Sequence, residues 1–137
     1  MIRLIVGAAG TGKTKMLTQL ANEDIKKTKG HLVYIDYEDG RMLQIDHRIR
    51  YISIDEYQVS GEQGLYGFIC GIIASNYDIE TIYIDGLYKI INVKSDNSEE
   101  FFKKLNNIGH KHNVNFVLTM SCDKEELPGH LETWNRA

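Results

Sequence analysis

A chain of 137 residues, 42% hydrophobic and 26% charged with a single proline, has the balance of one globular domain large enough for a buried core. Its net charge of −3 supplies no overall field to attract nucleic acid, so such a partner would need a local basic patch. Apolar runs fall short of the ~20 residues a membrane span requires, and Cys70 and Cys122 stand alone without a C-x-x-C, which suits a reducing, cytoplasmic setting.

The chain opens on an apolar run, Ile2, Leu4, Ile5 and Val6, that is too short for a signal peptide and reads as a strand. Residues 7–14 follow as Gly7, Ala8, Ala9, Gly10, Thr11, Gly12, Lys13 and Thr14, which match G-x-x-x-x-G-K-[ST] at every fixed position. The glycines allow the backbone to form a concave nest whose N–H groups point at phosphate oxygens. A helix predicted from Lys13 brings its unpaired N–H groups and positive dipole end to the same anion. The pattern places the Lys13 ammonium on the β- and γ-phosphates and the Thr14 hydroxyl on Mg²⁺. Lys15 belongs with the loop as a nucleotide-contacting residue; it also stands where a dinucleotide fingerprint needs its third glycine, which excludes that reading.

Met16, Leu17, Leu20, Ala21 and Ile25 make one apolar face of a helix reaching to about residue 29, with Gly30 as its left-handed cap. Residues 31–36 (HLVYID) predict a buried parallel strand, broken by Tyr37, Glu38, Asp39 and Gly40. Residues 40–50 fit either a short helix or a loop, and residues 51–54 (YISI) a third strand ending in Asp55-Glu56. Leu65, Phe68, Ile69, Ile72 and Ile73 mark a second helix, whose Gly64, Gly67 and Gly71 suggest close approach to the sheet. Residues 81–85 (TIYID) predict a fourth strand, and residues 87–93 an apolar connection of no clear type. Asp96-x-x-Glu99, with Ser98 as a competing cap, opens a helix whose stripe is Phe101, Phe102, Leu105 and Ile108; Gly109 or Asn113 ends it. Residues 114–119 (VNFVLT) predict a fifth strand, and from Ser121 onward the pattern is polar and without periodicity.

Strands alternating with helices predict an α/β fold, a mostly parallel five-stranded sheet covered on both faces as a three-layer sandwich, in a single domain over residues 1–137. Asp85 ends a buried strand, and in such sheets ligands gather at the strands' carboxyl ends, so Asp85 is the candidate Walker B acid that holds the metal. Asp55-Glu56-Tyr57-Gln58, similar to the strand-end Asp-Glu-Ala-Gln of thymidine kinases, competes for that role. The purer apolar run before Asp85 favours it. The basic groups Lys26-Lys27-Lys29, Arg48-x-Arg50 and Lys103-Lys104 read as solvated faces. His31, His47, His110, His112 and His130 lack zinc-ligand spacing.

The order of these pieces resembles the RecA-like ATPase family over most of residues 1–121. Tyr34-Ile35-Asp36-Tyr37-Glu38 is similar to its Phe-Ile-Asp-Ala-Glu, and Ser60-Gly61-Glu62-Gln63-Gly64-Leu65 to its Thr-Gly-Glu-Gln-Ala-Leu. The resemblance implies that Glu38 is the base acting on the attacking water and that Asp85 holds the metal. It puts Thr119 or Ser121 at the polar γ-phosphate sensor, and it sets the loop strand beside the 114–119 strand, with the Asp85 strand next. The DNA-binding extensions of that family have no counterpart, and Arg41, Arg48 and Arg50 read as surface residues, although an arginine finger supplied in trans is open to them. The expectation is an ATP- and Mg²⁺-binding core with slow ATPase activity. A P-loop kinase with a small-molecule acceptor is an alternative, its lid being residues 86–97 with Lys89 and Lys94. So is a nucleotide-dependent switch that engages a protein partner.

Overall fold

Each apolar, β-branched run becomes a strand: β1 (Ile2–Gly7), β2 (His31–Asp36), β3 (Arg50–Ser53), β4 (Ile79–Asp85) and β5 (Asn115–Ser121). The computed structural model describes residues 1–93, 96–122, 128–129 and 135–136, and side chains at all of these except 96, 97, 135 and 136. The sheet runs β3-β2-β4-β5-β1 and ends on a two-residue strand, β6 (Asn135–Arg136), that pairs with Arg3 and Leu4 of β1. Every pairing among the described residues is parallel. β1 therefore neighbours β5 and β5 neighbours β4, the adjacency expected for these strands. The polar tail, expected to lack regular structure, adds β6 to the outer edge of β1. The expectations for Lys94, for the Asp96 cap and for His130 concern side chains outside the described residues.

Helices α1 (Lys13–Asp24), α2 (Gly61–Ser75), α3 (Leu87–Ile90) and α4 (Asp96–His112) cover the sheet from both sides. Side chains alternate across a strand, so odd and even positions feed two separate cores. Ile5, Leu32, Tyr34, Tyr83 and Val117 pack with Leu17, Ala21 and Ile25 of α1. Leu4, Val33, Ile35, Ile82, Ile84, Phe116 and Leu118 pack with Leu65 and Ile69 of α2 and Phe102 and Leu105 of α4. On the α1 side three tyrosines share one register, Tyr51, Tyr34 and Tyr83, with ring centroids 6.0 and 6.3 Å apart. Among the described residues no helix is long and apolar enough to cross a membrane.

Several local expectations are corrected. Helix α1 stops at Asp24, not near residue 29, and Gly30 is not its cap. The Thr28 hydroxyl and the Gly30 N–H both donate to the Glu80 carboxylate of β4, which draws the chain into β2. Met16 faces outward, half exposed. Gly64, Gly67 and Gly71 lie on the exposed side of α2, and a Cβ at Gly67 or Gly71 would meet nothing within 4 Å, so no close approach to the sheet explains them. The Ser98 hydroxyl lies inside α4 and donates to the Val93 carbonyl at 2.8 Å. Asn113, at φ 56°, ends α4. Gly109 lies within the helix, where a Cβ would sit 2.8 Å from the Val114 carbonyl oxygen. Residues 40–49 are a loop with one 3-10 turn at Met42–Gln44, Arg50 already belongs to β3, and Ile54 opens a second 3-10 turn, Ile54–Tyr57, rather than closing β3.

Candidate functional site

The carboxyl ends of β1, β2, β4 and β5 converge on the amino end of α1, and the alternation that buries Tyr34 and Tyr83 on the α1 side turns Asp36 and Asp85 to that side too. The two carboxylates are strand neighbours in register, 1% and 5% exposed. Unpaired carboxylates so deep would be costly. Each is held by several donors.

The loop after β1 takes the backbone form its glycines allow: Gly10 and Gly12 sit at φ 80° and 86°, where a Cβ is strained. Thr11 Oγ1 donates to the Ala8 carbonyl at 2.7 Å and Lys13 Nζ to the same oxygen at 2.8 Å, so the ammonium folds back across the loop. Thr14 Oγ1 donates to Asp85 Oδ2 at 2.9 Å. Thr119 Oγ1 donates to Asp85 Oδ1 at 2.6 Å and accepts from the Gly86 N–H at 2.9 Å. Thr119 is thus spent on orienting Asp85. Of the two sensor candidates it is Ser121, in register with Gly7, that lines the loop's cavity. Asp55 and Glu56 are exposed beyond the edge strand β3, away from Thr14.

A hydroxyl and a carboxylate in contact form a hard oxygen donor pair. That set fits Mg²⁺, which takes one or two protein ligands and completes its shell with water and phosphate oxygens. Thr14 and Asp85 would hold it. Among the described residues no cluster of three His, Cys, Asp or Glu side chains stands ready to bind a metal unaided.

Two ion pairs flank this centre, both outside the loop at residues 7–14. Arg41 Nη1 lies 3.3 Å from both carboxylate oxygens of Asp36, whose Oδ2 also accepts from the Tyr51 hydroxyl at 2.6 Å and whose Oδ1 accepts from the Glu38 N–H at 3.2 Å. Burial works against the guanidinium's charge, and the nearby Asp36 and Asp85 carboxylates more than offset it, so the pKa of Arg41 is raised. Burial, followed by the hydrogen bond to Asp36, raises the Tyr51 phenol as well. Lys89 Nζ lies 3.2 Å from Glu38 Oε1 and over the Tyr37 and Tyr88 rings, and the Glu38 contact raises its pKa. Glu38 itself is exposed.

A cavity of about 780 Å³ opens over Gly10, Gly12, Lys13, Thr14 and Lys15 and extends past Arg41 to Gln19 and Gln44. A polar hollow of about 40 Å³ adjoins it, bounded by Thr14, Asp36, Glu38, Arg41, Asp85 and Lys89. Arg41 was expected at the surface, and its place between cavity and hollow corrects that. Asp36, Tyr51 and Arg41 went unread as a unit. Their one signal was that Asp36, like Asp85, ends a buried strand.

No protein-family model matches this chain, and no curated protein matches it either.

Proposed function

We propose that the chain binds a nucleoside triphosphate, with ATP the expected one, together with Mg²⁺, and hydrolyses it slowly in the manner of a small RecA-like ATPase. The observation that carries the reading is the Thr14–Asp85 contact at the mouth of a glycine nest into which Lys13 is folded. Backbone N–H groups and the amino end of α1 supply a fixed anion site. Lys13 would leave the Ala8 carbonyl for the β- and γ-phosphates, and Thr14 with Asp85 would hold the cation. Bound there, Mg²⁺ would neutralise charge on the terminal phosphates. Glu38 would orient and deprotonate the attacking water, which requires its carboxylate to exchange Lys89 for that water.

One observation keeps a second reading, phosphoryl transfer to a small acceptor: the cavity continues beyond the loop over Gln19 and Gln44. Against it, Leu87, Ile90, Ile91 and Val93 are buried, so residues 87–93 are anchored in the core rather than free to close as a lid.

The test is thermal. At ligand one hundred times its dissociation constant, linkage adds ~2.7 kcal/mol, a rise in melting temperature of ~5–10 °C. Magnesium ATP should produce that shift in the wild type, and Lys13→Ala should abolish most of it. An equal shift in the variant removes Lys13 from the site.

A further inference from the structure

We infer that Arg41 is the residue that reads the terminal phosphate, supplied from within the chain and positioned by Asp36 and Tyr51; the inference rests on the nucleotide reading above. The argument comes from how two arginines use the same chemistry. A guanidinium that serves only as a counter-ion presents its planar fork to the carboxylate. Arg48 does so, with Nε 3.0 Å from Asp46 Oδ1 and Nη2 2.8 Å from Asp46 Oδ2. Arg41 does not. It offers Asp36 a single nitrogen, Nη1, at 3.3 Å from both oxygens, longer than the ~2.7–2.9 Å usual for such charged bonds. Among the described residues Nε and Nη2 of Arg41 have no partner, so the fork that matches phosphate geometry is unused.

Asp36 does not need that fork. Its carboxylate already accepts from the Tyr51 hydroxyl and the Glu38 N–H. What the buried carboxylate supplies is a fixed anchor: it holds the arginine from behind while its side chain stays 31% exposed, and Arg41 lines the cavity that Lys13 and Thr14 also line. Lys89 shares that wall but presents a point charge already bound to Glu38. Arg41 is the better placed to meet the outermost phosphate. In hydrolysis a water oxygen would bond to the terminal phosphorus and the bridging P–O bond would break. Its electron pair leaves on the diphosphate, the proton passes to Glu38, and Arg41 stabilises the charge on the terminal oxygens.

The deciding measurement is the affinity of the magnesium complexes of a non-hydrolysable ATP analogue and of ADP, by calorimetry. Arg41→Lys keeps a cation on Asp36 and removes the fork, so it separates recognition from folding; Arg41→Ala risks the fold. Arg41→Lys should weaken the analogue by ~10- to 100-fold, the range for one lost hydrogen bond to a charged group, and leave ADP within about twofold. Tyr51→Phe, which loosens the anchor without touching the ligand, should lower the same triphosphate preference by a smaller factor. Arg41→Lys with an unchanged preference, or an equal loss for both nucleotides, would make Arg41 a counter-ion and nothing more. Wild-type protein that binds neither nucleotide would sink the site reading and this inference together. Wild-type binding with an unaffected Arg41→Lys sinks the inference alone.

Discussion

Asp85 accepts two hydroxyls and sees almost no solvent, so its replacement has two separable effects. An amide nitrogen cannot accept, so Asp85→Asn leaves Thr14 or Thr119 without its acceptor and should cost about 1–3 kcal/mol without ligand. The same variant should need more magnesium to reach a given ATP-induced shift. Asp55→Asn, on the exposed 3-10 turn, should move neither quantity, with stability within ~0.5 kcal/mol. A magnesium titration of the melting temperature decides between them, and dependence on Asp55 instead of Asp85 reverses the assignment. Glu38 calls for a different readout. Its pair with Lys89 is exposed and contributes little to folding, so Glu38→Gln should melt like the wild type and bind ATP at least as well. Its hydrolysis should fall ~10²–10⁴-fold. Wild-type turnover in that variant would make a nucleotide-dependent switch the better account. The loop's backbone form was legible because the glycines that set it lie within eight consecutive positions. Arg41 was not, because its meaning depends on Tyr51, ten residues on and paired across the sheet with the strand that carries Asp36.

Helices show where periodicity informs and where it misleads. Strands β1 to β5 could be read almost to their ends, since each follows a short, largely apolar run closed by turn or polar residues. The end of α1 could not, because the group that pulls the chain out of the helix, Glu80, stands on β4, some fifty residues later. Glycines were the harder case: sequence alone cannot distinguish one that makes room from one that faces solvent. The structure separates them and predicts opposite signs. Gly67→Ala fills open space on α2 and should stabilise by about 0.5–1 kcal/mol, the ordinary gain of alanine over glycine in a helix. Gly109→Ala gains the same propensity but drives a methyl to 2.8 Å from a backbone carbonyl and 2.9 Å from the Phe116 ring. Overpacking of about 1–3 kcal/mol should win there. Urea midpoints that rise at Gly67 and fall at Gly109 are the expected pair, and equal responses would discard the contact argument.

Across the whole molecule, the aromatic rings buried in the α1-side core are the tyrosines Tyr34 and Tyr83, where the opposite core buries phenylalanines, each among aliphatic side chains. Tyr34 and Tyr83 are fully buried; burial raises their pKa values first, and the Tyr83 hydroxyl also donates to Asp24. Tyr51 shifts the same way. The fold favours the protonated phenols, so the unfolded chain loses these protons first, near pH ~10. Their stabilisation is complete below that pH and declines as pH rises from ~10 toward the higher folded values. Urea midpoints should hold from pH ~8 to ~9.5 and drop steeply above ~10. A flat profile to pH ~11 would contradict the raised values. The same row has an optical side. Three stacked phenols 6.0 and 6.3 Å apart are neighbouring chromophores in a chiral setting, and they should give this face of the sheet its own near-ultraviolet signature. One end of the row rests on Asp36 and its middle on Thr18 of α1, so a ligand that moves either should change that ultraviolet signal without any added dye.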